Sequence, residues 1–186
     1  CSFCNVSGNI PAPVDPDEPA RVAAAVIALE LEHVVITSPT RDDLADGGAG
    51  HFAATVQAIR KASPQTAIEL LVPDFQGFLQ SLAVVTAAQP EIFGHNIETV
   101  PRLYSIRAGA DYRRSLELLT AAKASAPEMP TKTGLMLGLG ETAAEILATL
   151  MDIRATGCDY LSIGQYLAPT RNHFPVAGFI EPAEFD

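Results

Sequence analysis

Apolar positions along this 186-residue chain alternate between two patterns. Short runs rich in β-branched residues read as strands: "HVVIT" from His33, "AIELLV" over Ala67 to Val72, "IFGHNI" from Ile92, "TKTGLML" from Thr131 and "YLSIGQYL" from Tyr160. Ala- and Leu-rich stretches with helical periodicity lie between them. They cover about Glu18 to Leu31, a segment through Ile59 after a polar loop from Ser38 to Gly47, Phe75 to Ala88, Tyr112 to Ala124, and Glu141 to Ala155. Asp15, Asp17 and Glu18 suit the positive N-terminus of the first helix. No shift in composition marks a boundary, so residues 1–186 are expected to form one α/β domain with a parallel sheet.

This order fits both an open doubly wound sheet and a barrel. Polar and glycine residues tip the choice, because they gather just after every strand: Thr37 and Ser38, Asp74, His95 with Asn96 and Glu98, Gly138 to Glu141, and Gln165 with Tyr166. In a (β/α) barrel those strand ends converge on one mouth, where such folds keep their chemistry. An open sheet would concentrate them at a single switch point. The expectation is a barrel whose strands are buried on both faces.

Composition narrows the function. Acidic residues outnumber basic ones 22 to 12, giving a net charge of −10, and no Lys/Arg block is present, which argues against a nucleic-acid partner. The longest apolar stretch, "VAAAVIALELEHVVIT", is cut by Glu30 and Glu32 and falls short of the roughly 18 residues needed to span a membrane. A soluble protein with a small-molecule or protein partner is expected. Three cysteines, with no secretory segment before them, point to a reducing cytoplasm. Beginning at Cys1, the sequence reads as a fragment.

Two constellations carry chemistry. In "CSFC", Cys1 and Cys4 stand two residues apart; a zinc ribbon, a thioredoxin-like pair and an iron-sulfur site all use such spacing, and each needs further ligands or context. The second is Gly134-x-Met136-x-Gly138-Leu139-Gly140-Glu141, a strand and its turn into a helix. It reads either as ordinary turn chemistry or as a close backbone approach to a flat ligand. Its spacing is not that of a dinucleotide fingerprint. Lys132 at a strand start lies on the stability face of a barrel, which argues against a Schiff-base role. His33 and His51 read as surface histidines and Cys158 as a small core residue.

Together these pieces resemble the lipoyl synthase family of the radical S-adenosylmethionine (SAM) superfamily. The likeness runs through "CSFC", "VVITSPTRDDLADGGAGHF", "LVPDFQG", "GHNIETVPRLY", "RAGADYRRSLELL", "PTKTGLMLGLGET" and "IGQYLAPTRNHFPV" before "PAEFD". It implies a partial (β/α)6 TIM-type barrel, here lacking its first strand, that binds SAM on a 4Fe-4S cluster and cleaves it to a 5′-deoxyadenosyl radical. The radical acts on C6 and C8 of an octanoyl chain linked to a carrier protein, and an auxiliary 4Fe-4S cluster supplies two sulfur atoms. By the same resemblance Cys1 and Cys4 are metal ligands, and Phe3 faces the adenine. Thr37, Ser38, Asn96 and Glu98 contact the cofactor's methionine or ribose, and Gly134, Met136, Gly138, Gln165, Tyr166 and Leu167 line its adenine side. Arg107, Arg171 and His173 stand as contacts for substrate or carrier. The implied partners are an octanoylated lipoyl-carrier protein and an electron donor.

The first cysteine of the cluster loop, the auxiliary-cluster motif and a C-terminal Arg-Ser-Ser-Tyr-like segment lie outside this sequence, so the isolated polypeptide is expected to be inactive. Gly94, Ala108 and Pro39 depart from the family pattern near the mouth. Two alternatives stand beside this reading: a sulfur-inserting enzyme of the biotin synthase type, and a degenerate barrel without catalysis.

Overall fold

The computed structural model describes residues 1–6 and 10–185; Gly8 and Asn9 of the Pro- and Gly-rich opening lie outside them. Five strands, β1 (His33–Thr37), β2 (Ala67–Leu71), β3 (Ile92–Gly94), β4 (Thr131–Leu137) and β5 (Tyr160–Gln165), form one sheet in the order β1-β2-β3-β4-β5. Every pairing is parallel. Helices α1 (Glu18–Ala28), α2 (Ala49–Ala62), α3 (Leu79–Ala87), α4 (Tyr112–Ser125) and α5 (Ala143–Ala155) alternate with the strands. A sequential order without a reversal has no switch point, so the chain builds a segment of a (β/α) barrel.

Register decides which residues face the lumen. Pairing of Val35 with Glu69, of Leu71 with Gly94 and of Gly134 with Ser162 puts these residues on the inner face, while Ile68, Leu70 and Phe93 point outward. The outward set packs on α2 and α3. Phe52, Val56 and Ile59 recur at helical spacing on one face of α2, are at most 4% exposed, and join Ile68, Leu70, Leu82, Val85 and Phe93 in the main core. Each such side chain contributes roughly 1.5–3 kcal/mol by leaving water.

Burial on both faces holds for β2 and β3. In β4 Thr131, Thr133, Leu135 and Leu137 are buried while Lys132, Gly134 and Met136 are only half-buried, and β5 is exposed along nearly its whole length. The inner face borders an open concavity rather than a helical layer, so Lys132, Gly134, Met136 and Gly164 keep contact with solvent.

Several element ends differ from the sequence reading for local reasons. The first helix stops at Ala28 because Glu30 adopts a left-handed φ of 52°. The third begins at Leu79, since Phe75 and Gln76 also take left-handed angles in a preceding 3-10 turn. Before α5, Thr142 rather than Glu141 forms the cap, in a reciprocal capping box with Glu145. Glu141 serves the glycine turn instead: its Oε2 accepts hydrogen bonds from the backbone N–H groups of Gly138, Leu139 and Gly140 at 3.0, 3.0 and 3.2 Å.

Candidate active site at the barrel mouth

The carboxyl ends of the strands and the N-terminal loop meet at one end of the barrel. Cys1 and Cys4 close a single turn, with the Cys4 N–H 3.4 Å from the Cys1 carbonyl, and both thiols are free. Two straps hold this turn down. Ser2 N–H donates to the Ile106 carbonyl at 2.9 Å, and the Ser2 carbonyl accepts from Phe174 N–H at 2.7 Å. Between the cysteines, Phe3 packs into a small apolar cluster with Met136, Leu103, Ile106, Leu139 and Tyr166. Among the described residues no group of three or more His, Cys, Asp or Glu side chains is placed to hold a metal ion.

Beyond Gly94 the chain leaves β3, turns His95 toward Ser115 of α4, and rejoins β4 through an isolated bridge between Glu98 and Leu135. Glu98 N–H donates to the Gly134 carbonyl at 2.9 Å and Met136 N–H to the Glu98 carbonyl at 2.8 Å. This detour presses Asn96 over Gly134: a Cβ there would lie 2.8 Å from Asn96 Oδ1, so glycine is needed for the close approach. Burial pushes the Glu98 carboxyl above the usual carboxylate range, while the charge of Arg107 and the Asn96 side chain pull it back. On the neighbouring lumen position of β5, Gly164 faces open space. Across the mouth Thr37 ends β1 exposed, and Ser38 Oγ donates to its own loop at Pro39, 2.9 Å away.

Some expected site residues are brought together here and others are not. Phe3, Met136 and Tyr166 share one cluster, and Asn96, Glu98 and Gly134 share one stretch of strand. Tyr166 is buried and its hydroxyl donates to the Phe174 carbonyl at 2.7 Å. Gln165 points outward instead, because it pairs with the outward Leu137. Its amide is taken up by backbone, donating to Tyr166 and Gly178 carbonyls and accepting from Ile180 N–H. Gly138, at φ 100°, makes room for that amide. Leu167 is exposed, Arg171 is exposed on the tail, and His173 Nδ1 is held by Thr170 Oγ1 at 2.8 Å. Arg107 donates to the Ile97 carbonyl at 3.3 Å and to the Tyr104 hydroxyl, with its guanidinium 5.0 Å from that ring's centroid.

His95, Tyr104, Ser115 and Glu141 carry more of the site's polar structure than sequence reasoning assigns them. His95 sits among the polar residues after β3, which is a signal; Ser115 lies in the first turn of α4 and Tyr104 in a 3-10 helix (Pro101–Ile106), where no pattern announces them.

Sequential parallel strands with their polar groups at one mouth define an enzyme scaffold for small-molecule chemistry. Residues 1–153 match the sequence profile of the Radical SAM superfamily, and the chain belongs to that superfamily. Among curated proteins it is 66% identical over 186 residues to the lipoyl synthase of Geotalea uraniireducens (strain Rf4), covering 100% of this chain and 66% of that protein. It is 62% identical to the lipoyl synthase of Geobacter sulfurreducens, covering 61% of that protein, and 54% identical to that of Methylococcus capsulatus, covering 58%. The chain thus spans 58 to 66% of the length of these relatives. Among solved structures, methylornithine synthase superposes with a TM-score of 0.68 at 17% identity, over 96% of this chain and 52% of that one. Coproporphyrinogen III oxidase from Escherichia coli, described as a radical SAM enzyme, gives 0.62 at 16%, over 98% and 44%. These two establish the fold, a barrel of the radical SAM type. No helix among the described residues is long and apolar enough to cross a membrane.

Proposed function

We propose that this chain is the core of a lipoyl synthase, acting as a single domain in the cytoplasm on the octanoyl chain of a lipoyl-carrier protein. One observation carries the reading: the Cys1–Cys4 turn is strapped onto the mouth beside the Phe3–Met136–Tyr166 cluster, in a sequence 66% identical to a lipoyl synthase along its whole length. Cys1 and Cys4 would hold two irons of a 4Fe-4S cluster; their free thiols on one turn fit that use. When bound, that cluster supplies the electron for reductive cleavage of SAM, and an auxiliary cluster supplies the two sulfur atoms.

The chain's own residues bind and orient. Phe3 and Met136 offer an apolar wall suited to adenine, and the bare Gly164 leaves the space beside them open. Asn96 and Glu98 offer polar atoms to ribose hydroxyls or to the methionine ammonium. In the free protein burial favours the protonated form of Glu98, and a cationic ligand favours its ionised form. Thr37 and Ser38 supply hydroxyls from the opposite wall, and the Tyr166 ring excludes water from the apolar side. Arg107, packed over the Tyr104 ring, is the residue assigned here to a carboxylate at the mouth, and Arg171 and His173 on the tail are the ones assigned to the carrier.

The test is anaerobic reconstitution of the protein together with the flanking segments its relatives carry, assayed with an octanoylated carrier domain, SAM and a reductant. Lipoyl product with 5′-deoxyadenosine is the expected result, and Cys1→Ser or Cys4→Ser abolishes both. Sulfur insertion into dethiobiotin instead would favour the biotin synthase type, and failure of any SAM cleavage would overturn the enzymatic reading. Residues 1–186 alone are expected to give no turnover.

A further inference from the structure

A line of polar side chains runs from the end of β2 to the mouth, and its direction is fixed joint by joint. The Val72 carbonyl can only accept, so His95 Nδ1, 2.8 Å away, carries the proton. His95 Nε2 is then a lone pair, and Ser115 Oγ at 3.0 Å donates into it. Ser115, with its proton committed, accepts from the Tyr104 hydroxyl at 3.0 Å. The Tyr104 oxygen in turn accepts from Arg107 Nη1. No joint can reverse unless the others do, because the first acceptor has no proton to give.

The setting favours a fixed arrangement. His95, Ser115 and Tyr104 are 2%, 0% and 7% exposed, so water cannot take over any of these bonds. Burial holds the His95 pKa down to about 4, which keeps the imidazole neutral and its lone pair available. Hydrogen bonds in such a chain polarise one another in a low-dielectric interior. Its only flexible, charged member is the last. The Arg107 guanidinium also donates to the Ile97 carbonyl at 3.3 Å and lies over the Tyr104 ring, 5.0 Å from the centroid.

We propose that His95, Ser115 and Tyr104 are positioning residues whose one-way hydrogen-bond relay holds the Arg107 guanidinium ready for a carboxylate-bearing ligand at the mouth. The identity of that ligand as SAM rests on the functional reading above; the direction of the relay does not. Holding a guanidinium in place before the ligand arrives removes part of the ordering cost that a free arginine side chain adds to binding.

Two measurements test it. In the unaltered chain, nitrogen chemical shifts of the His95 imidazole are expected to show a protonated Nδ1 and an unprotonated Nε2; the opposite tautomer overturns the relay. In the anaerobically reconstituted protein, the SAM dissociation constant is measured for Tyr104→Phe in two backgrounds. The variant is expected to weaken binding about tenfold alone and less than twofold when Arg107 is already Ala, because the effect travels through Arg107. An equal loss in both backgrounds would show that Tyr104 acts independently and overturns the proposal. If Tyr104→Phe does not fold, Ser115→Ala replaces it in the same cycle. If the unaltered protein binds no SAM, the reading of the mouth fails, and the tautomer alone decides the relay.

Discussion

Lys132 reaches from β4 across β3 to Glu69 of β2, its Nζ 2.8 and 3.0 Å from the two carboxylate oxygens. Gly94, level with Lys132 in the pairing, puts no side chain in the way. Glu69 is 4% exposed, and the nearest other side-chain nitrogen, His33 Nε2, lies 3.7 Å off on a far more exposed residue. An ammonium donating to both oxygens of one carboxylate is a floor for the lumen, as its place at a strand start implies, and not a Schiff-base nucleophile.

Removing half of this pair strands a charge in a buried position. Lys132→Met is expected to lower stability by about 3 kcal/mol, while Glu69→Leu with Lys132→Met returns to within about 1 kcal/mol of the parent. Urea unfolding checks both. A single variant as stable as the parent would show that water reaches Glu69 freely.

Gly138, just past the end of β4, and Gly164 in β5 should respond oppositely to an added methyl group. At Gly138 a Cβ would lie 2.4 Å from Gln165 Nε2 and 2.5 Å from the Gly178 carbonyl, at a φ of 100°. Gly138→Ala is expected to cost at least about 1–2 kcal/mol and to loosen the tail, seen as faster amide exchange at Ile180. At Gly164 a Cβ meets nothing within 4 Å, so Gly164→Ala should stay within about 0.5 kcal/mol while weakening SAM binding. Equal melting temperatures for the two variants would contradict this.

Acid should destabilise the chain through His95. Its folded pKa of about 4 lies below the ordinary value of 6.5, so between those limits the unfolded chain binds a proton that the folded one does not. The stabilisation is complete above pH 6.5 and is lost as pH falls toward 4, by about 3 kcal/mol in all. Stability measured from pH 7 to 4 in the parent and in His95→Phe tests it: the variant's curve should be flatter across that window. Parallel curves would assign the slope to other groups.

Glu98 gives the opposite sign. Burial raises its folded pKa above 4.5, so the folded state holds the proton longer, and stability falls as pH rises from 4.5 through the raised value. Glu98→Gln removes that slope. The variant should melt above the parent at pH 8 and level with it near pH 4, while binding SAM more weakly at both. A melting difference unchanged between the two pH values would mean that burial of the charge is not its source.

Strands with strong apolar runs, β1, β2, β4 and β5, were legible because β-branched and aromatic residues at strand spacing mark them, even in β5, where little of the strand is buried. "IFGHNI" misled: it reads as six strand residues, yet pairing pauses after Gly94, where His95 is drawn toward Val72 and Ser115, and resumes at Glu98. A tertiary hydrogen bond overrides local propensity there. Glu141 shows the same limit. An acidic residue before a helix reads as a helix-start charge, and only the three converging N–H groups reveal that it caps the turn. Of the residues the resemblance singles out, Phe3 and Met136 share one apolar cluster, and Asn96, Glu98 and Gly134 meet where the chain after β3 runs beside β4. The direction of Gln165 was not, since one residue of register separates lumen from exterior.

The straps on the cysteine turn also set an order of assembly. Ser2 bonds to Ile106, 104 positions away, and to Phe174 near the other end of the chain. Contacts between such distant positions close large loops, and in a folding chain they pay off only after local helices and neighbouring strands have formed. Cys1 and Cys4 therefore come to rest on the mouth last. Until then both thiols stay accessible to solvent, and the docking of the turn is the step that brings them against the Phe3–Met136–Tyr166 cluster.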